Sequence, residues 1–151
     1  MTLNPPESEM NVSLMLFYSL NKTLRTIQKS LETAIRSYGL NATEFSVVRL
    51  LYSMGNQPIQ KIGDKISIAS SSTTYVIDKL EKKVLLERIP CPNDRRIVWA
   101  SLTPKGRQLM DAIFPNYTAA VHKVLDGLNF DEKKEFITTL KKLDRYAENF
   151  K

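Results

Sequence analysis

Apolar residues recur along the first quarter of the chain at Leu16, Leu20, Leu24, Ile27, Leu31, Ile35 and Tyr38. The steps of 4, 4, 3, 4, 4 and 3 residues follow the turn of an α-helix. They predict one long helix over residues 11–38 with a continuous apolar stripe, ended by Gly39. Residues 1–10 are polar, contain Pro5-Pro6, and are expected to form a loose arm. Asn41-Ala42-Thr43-Glu44 reads as a capping box that opens a second helix through Phe45, Val48, Leu51 and Tyr52. Gly55 to Pro58 break it. A short helix follows from about Gln60 to Ile66, with Ile62 and Ile66 inward. Beyond the link Ser67-Ile68-Ala69, Ser70 is expected to cap another helix reaching about Lys83. Thr73, Ile77 and Leu80, at i, i+4 and i+7, share its inner face and leave Ser71, Ser72, Tyr75, Lys79 and Lys82 outward.

The period then changes. Leu85 to Pro90 and Ile97 to Leu102 are short β-rich runs, and Cys91-Pro92-Asn93-Asp94-Arg95-Arg96 between them is a turn. This predicts a hairpin with arginines at its tip. Thr103-Pro104 starts a helix through Leu109, Ile113, Tyr117, Val121, Val124 and Leu128, with a kink expected at Pro115. A second capping box, Asn129 to Glu132, opens a last helix with Phe136, Leu140, Leu143, Ala147 and Phe150 on one face. The order is helix, helix, short strand, helix, helix, strand, strand, helix, helix. The fold class is mainly α with a small β-wing: a winged helix-turn-helix flanked by long terminal helices. One chain, residues 1–151, would hold a winged-helix part at about 41–104 and dimerisation helices at about 11–38 and 104–150. The long outer helices carry more apolar surface than the small core can cover, and pairing with a second chain would bury it.

Charge sharpens this picture. The net charge of +6 is concentrated: residues 60–110 carry 10 Lys/Arg against 5 Asp/Glu, whereas residues 1–59 and 111–151 are nearly balanced. A localised basic surface on a winged helix fits a polyanion. The outward helix face suits the major groove of double-stranded DNA, and a slim arginine-tipped hairpin suits the minor groove. The alternative, a winged helix that binds only protein, would carry an acidic or neutral recognition helix and wing. An enzyme is not expected: the chain has one histidine, one cysteine and no Gly-rich phosphate loop. No metal or cofactor is expected either. Glu7 and Glu9 precede the apolar stretch 12–20, the reverse of a signal peptide's basic start, and that stretch is too short to span a bilayer. A cytoplasmic location with no membrane role is the expectation.

Particular residues resemble a family. Asp94-Arg95-Arg96-Ile97-Val98-Trp99-Ala100-Ser101-Leu102-Thr103-Pro104-Lys105-Gly106 is similar to the wing-and-exit motif D-x-R … L-T-x-x-G of MarR-type transcriptional regulators. Thr74-Tyr75-Val76-Ile77-Asp78-Lys79-Leu80-Glu81 resembles their recognition helix, and Gly39-Leu40 with Phe45 resembles the start of their second helix. The wording T-Y-V-I-D-K-L-E and P-C-P-N-D-R-R is closest to the branch that responds to quinones and catechols. The resemblance covers about residues 11–150. It implies a homodimer on an inverted repeat, a repressor released by a small phenolic or quinone-like effector. It makes Ser70, Ser71, Ser72, Thr74, Tyr75, Lys79, Arg88, Asp94, Arg95 and Arg96 the DNA-binding set, with Asp94 orienting the guanidinium groups. The family's ligand pocket lies between the dimer helices and the winged core, where Tyr18, Phe45 and Tyr52 are candidate lining residues; the plainer reading of all three is core.

Two departures from the family pattern matter. Tyr75 stands where many relatives carry Arg, so guanine reading from that position is not expected. Val84 stands where many carry Gly, just beyond the recognition helix. A β-branched residue at positive φ would be strained, so the helix is expected to end differently here, and Val84→Gly to leave stability unchanged. Cys91 could sense oxidants if Arg88, Arg95 and Arg96 lower its pKa. The plainer reading is a passive thiol, because peroxide-sensing relatives place their cysteine near the start of the first long helix, where this chain has none. His122 reads as a polar-face residue rather than a ligand. Ser70 to Thr74 read as cap and groove contacts rather than a phosphorylation patch or linker. Lys133-Lys134 and Lys141-Lys142, interleaved with acids, read as a solvated helix face.

Overall fold

The computed structural model describes residues 8–66 and 70–150. The link Ser67-Ile68-Ala69 lies outside the described residues, as do residues 1–7 of the expected arm and the side chain of Ser70, the expected cap. The elements run α1 (Glu9–Arg36), α2 (Ala42–Met54), β1 (Gln57–Pro58), α3 (Ile59–Ile66), α4 (Ser70–Lys82), β2 (Leu86–Pro90), β3 (Val98–Leu102), α5 (Pro104–Val124) and α6 (Phe130–Glu148). The helices and the hairpin stand in the order that the periodicity predicts, while β1, only two residues long, lies in the stretch read as a break. The first helix begins earlier than expected, because the Ser8 side chain accepts from the Asn11 N–H and caps it. It also stops at Arg36, and Gly39 takes φ +79° in the turn beyond. α5 runs through Pro115 and ends at Val124, short of the predicted Leu128.

Three strands form one antiparallel sheet in the order β1-β3-β2. Gln57 faces Ala100 on one side of β3, and Arg88 faces Ala100 on the other. Around this sheet α2 is the central helix, with Phe45, Val47, Val48, Leu50 and Leu51 buried. Ile35 from α1, Ile62 from α3, Val76, Ile77 and Leu80 from α4, Leu86 from β2, and Met110 and Ile113 from α5 complete the core. Each such side chain contributes about 1.5–3 kcal/mol relative to exposure, so this shared core fixes where α4 and the hairpin stand. Both capping boxes form: Asn41 with Glu44, and Asn129 with Glu132. α5 is tied to α2 by the Tyr52 hydroxyl donating to Asp111 (2.7 Å) and by the Phe45 and Tyr117 rings, 4.6 Å apart.

The exit from α4 corrects the expectation for Val84. Val84 sits at φ 60°, and among the described residues it is the only non-glycine with positive φ. The Val84 N–H donates to the Glu81 carbonyl (2.9 Å) and the Leu85 N–H to the Leu80 carbonyl (3.0 Å). That pair of bonds is a Schellman motif with Val84 in its left-handed position. The helix ends as it would with glycine there, and the valine accepts the strain. The reason is tertiary. Thr103 Oγ1 donates to the Val84 carbonyl (2.6 Å), the Thr103 N–H donates to the Leu85 carbonyl (3.1 Å), and Leu85 is buried in the core.

Candidate nucleic-acid interface

α4 presents the predicted two faces. Thr73, Val76, Ile77 and Leu80 are buried, while Ser71, Ser72, Thr74, Tyr75 and Lys82 are exposed and Lys79 is half-buried. Val76 was not among the predicted inner residues; at i+3 from Thr73 it widens the same stripe. Tyr75 is 64% exposed, with the Lys79 ammonium 5.4 Å from its ring centroid. This cation–π contact holds a lysine beside a hydroxyl-bearing ring at the middle of the helix. A polar, hydrogen-bonding, positively charged face of this kind is what a helix needs to meet base edges and phosphates.

The hairpin tip is closed by the Cys91 N–H donating to the Ile97 carbonyl (2.9 Å) and the Ile97 N–H to the Asp94 carbonyl (3.0 Å). Arg96 grips Asp94 with two guanidinium nitrogens, both at 3.1 Å, and its backbone N–H donates to the same carboxylate (3.0 Å). The side-chain bonds, then the backbone one, hold the Asp94 carboxyl below its ordinary range. Of the two guanidinium groups expected to be oriented by Asp94, only that of Arg96 is held by it, and the Arg96 side chain remains 90% exposed. Arg95 is exposed beside it and makes no ion pair among the described residues.

Arg88 is placed differently from the rest of the expected DNA-binding set. Its two terminal nitrogens bond Asp78 (2.6 Å) and Glu81 (3.0 Å), both on α4. The Asp78 bond is the main reason its guanidinium is held even more firmly protonated than usual. Cys91 is half-buried, and its thiol is pushed below the ordinary range. The causes are hydrogen bonds from the Asn93 and Asp94 backbone, helped by Trp99; the neighbouring arginines proposed from the sequence are not among them. The three candidate pocket residues are not gathered in the single chain. Tyr18 is exposed on α1 against Phe17, Phe45 is buried, and Tyr52 is half-buried between Phe114 and the Arg107 guanidinium. Two cavities lie elsewhere. One of about 450 Å³ is lined by residues that include Tyr38, Lys83, Lys105 and Leu109. The other, about 370 Å³, lies beside α4 and includes Gln60, Asp64 and Arg88.

Two close approaches between elements could not be read from the sequence. Glu44, 3% exposed, pairs with Lys83 at 2.6 Å, and Lys83 also donates to the Gly39 carbonyl (3.0 Å). This joins the start of α2 to the end of α4 across 39 positions. The second is at Gly106, marked in the sequence only as the end of the wing-exit motif: a Cβ there would overlap the Leu85 carbonyl oxygen. Among the described residues no cluster of His, Cys, Asp and Glu could hold a metal ion, and no helix is long and apolar enough to cross a membrane.

Comparison with known proteins agrees with this geometry. The sequence pattern of the MarR family matches residues 40–98. The transcriptional regulator MhqR of Bacillus subtilis, of the helix-turn-helix type, is 44% identical over 91% of this chain and 95% of that protein. Among solved structures, a mutant of Escherichia coli MarR complexed with operator DNA superposes with a TM-score of 0.79 at 20% identity, covering 91% of this chain and 99% of that one. Bordetella bronchiseptica BpsR, whose DNA binding is regulated by 6-hydroxynicotinic acid, gives 0.77 at 25% identity over 86% and 98%. The chain belongs to the MarR family of transcriptional regulators, DNA-binding proteins of the helix-turn-helix type.

Proposed function

We propose that the protein is a homodimeric repressor that binds an inverted-repeat operator and is released by a small phenolic or quinone-like ligand. The observation that carries this reading is the pairing of the exposed hydroxyl-and-lysine face of α4 with a hairpin tip presenting Arg95 and Arg96. Ser71, Ser72, Thr74, Tyr75 and Lys79 would enter the major groove, and Arg95 and Arg96 the adjoining minor groove. Dimerisation is supported by α6, none of whose residues is buried although Phe136, Leu140 and Leu143 line one face. Release by a small aromatic ligand is supported by the regulation of BpsR by 6-hydroxynicotinic acid. Tyr18, Phe45 and Tyr52 would line the ligand site between the dimer helices and the winged core.

Fluorescence anisotropy on DNA from upstream of its own gene, at several salt concentrations and against unrelated competitor, tests the reading. Tight binding that survives the competitor and weakens steeply with salt is expected. Arg96→Ala should weaken operator binding and lower the salt slope by about 1, the signature of one lost phosphate contact. Unchanged affinity and slope would remove the wing from the interface. Equal, weak binding of the wild type to both DNAs would favour a protein partner.

A further inference from the structure

We propose that Arg88 is a positioning residue for DNA recognition: it clamps the wing to the recognition helix through Asp78 and Glu81 and does not itself contact DNA. The inference rests on the chain's sequence-specific binding through α4 and the wing.

The geometry begins with the helical period. Thr74, Asp78 and Glu81 stand at i, i+4 and i+7 and so share one flank of α4, beside the outward face. Arg88 is the third residue of β2, opposite the fully buried Ala100 of the central strand, so its backbone is anchored at the middle of the β2–β3 pairing. From there Nη2 reaches Asp78 at 2.6 Å and Nη1 reaches Glu81 at 3.0 Å. One guanidinium thus spans almost a full turn of the recognition helix, with a different carboxylate on each terminal nitrogen. Only arginine has the planar fork to do this; a lysine ammonium is a point charge without that fixed geometry.

The clamp supplies what the chain connection alone lacks. α4 and β2 are joined by Lys83, Val84 and Leu85, and the left-handed turn at Val84 sets the direction of that joint. The core, with Leu86 and Ala100 buried, and the pairing of β3 with β1 hold the base of the hairpin. The Arg88 contact adds a polar tie outside that core, and it tightens the angle between the helix that enters one groove and the wing that enters the next. The distance between the two reading elements is then set before DNA arrives, and less ordering remains to oppose binding.

Charge separates this role from a phosphate contact. Arg88 between two carboxylates leaves the trio with a net charge of −1, so the group as a whole repels the DNA backbone, whereas the Arg96–Asp94 pair is neutral and keeps its guanidinium exposed. Arg95, at the tip of the same hairpin, has no such ion pair among the described residues.

The test is the double substitution Asp78→Asn with Glu81→Gln, made beside Arg88→Lys. Wild-type protein first selects its preferred duplex from a randomised pool, and all variants are measured on that duplex and on unrelated DNA. A positioning role predicts that removing the two carboxylates lowers affinity for the selected duplex by about tenfold, the size of one lost base contact. Binding to unrelated DNA should hold or rise, because two negative charges near the phosphates are gone. Arg88→Lys should lose selected-duplex affinity with an unchanged salt slope. A phosphate-contacting Arg88 predicts the opposite sign: the double variant frees the guanidinium and binds the selected duplex more tightly. That result overturns the clamp, as does an equal loss on both DNAs. Thermal unfolding is followed in parallel, since exposed ion pairs contribute little to stability and the midpoint should barely move. A binding loss that merely tracks a large fall in that midpoint in both variants also overturns it. A wild-type chain that enriches no duplex removes the DNA reading itself, and the clamp with it.

Discussion

Val84 carries the clearest conflict between a residue and its place. Its φ of 60° belongs to the left-handed region, which costs an ordinary L-residue about 1–2 kcal/mol and suits β-branched side chains least. Its side chain is 57% exposed, so little burial offsets the strain. Glycine would relieve it but would lose more chain entropy on folding, roughly 0.5–1 kcal/mol. Val84→Gly is therefore expected to raise the unfolding free energy by about 1 kcal/mol, measured by urea denaturation. An unchanged midpoint would mean that the turn relaxes without cost. Cys91 shows how a local turn changes chemistry: hydrogen bonding from the Asn93 and Asp94 backbone pushes its thiol pKa down.

Between elements, the residues Leu102, Thr103 and Gly106 of the wing-exit motif explain one another. Thr103 caps α5 by accepting from the Gly106 N–H (3.0 Å) while its hydroxyl donates to the Val84 carbonyl. Gly106 lets the first turn of α5 lie directly on the Leu85 carbonyl, and Leu102 packs against it. Lys105 adds a bond to the Lys83 carbonyl (3.1 Å). Four elements (α4, β2, β3 and α5) thus meet at one turn. Gly106→Ala must push backbone apart there, and a loss of about 2–3 kcal/mol is expected in chemical denaturation, within the range for overpacked sites. A loss below about 0.5 kcal/mol would show that α5 can shift away freely. The motif was visible in the sequence as spacing; its reason, a close approach between two backbones 21 residues apart, was not.

Across the whole molecule the apolar surface is divided into two kinds. The winged core buries its own, whereas Leu14, Phe17, Tyr18 and Leu24 on α1 and Phe136, Ile137, Leu140 and Leu143 on α6 stay exposed. α6 has a good cap and an amphipathic pattern, but an isolated helix of 19 residues is marginal in water without something to pack on. A second copy of the chain supplies it under the proposed reading. Leu140→Asp with Leu143→Asp should convert the dimer to monomer in light scattering and weaken operator binding at least tenfold, because each half-site would then be held alone. A dimer that survives both substitutions would move the interface away from α6.

The sequence by itself determined the order of the helices and the hairpin, both capping boxes, the Thr103-Pro104 start and the outward face of α4. Each of these depends on residues within a few positions of one another, where helical period, turn chemistry and capping act directly. The family resemblance added Asp94 as the partner of the tip arginines, without separating Arg96, which it holds, from Arg95. Only the tertiary structure decided that Val84 must be left-handed, that Gly106 faces Leu85, that Glu44 meets Lys83, and that Arg88 is held by Asp78 and Glu81. Those outcomes depend on where a shared core brings separate elements together, and no local period records that. Arg88 reads in the sequence as one more positive charge near a hairpin; the carboxylates that hold it lie on the neighbouring helix, and packing alone brings them into reach.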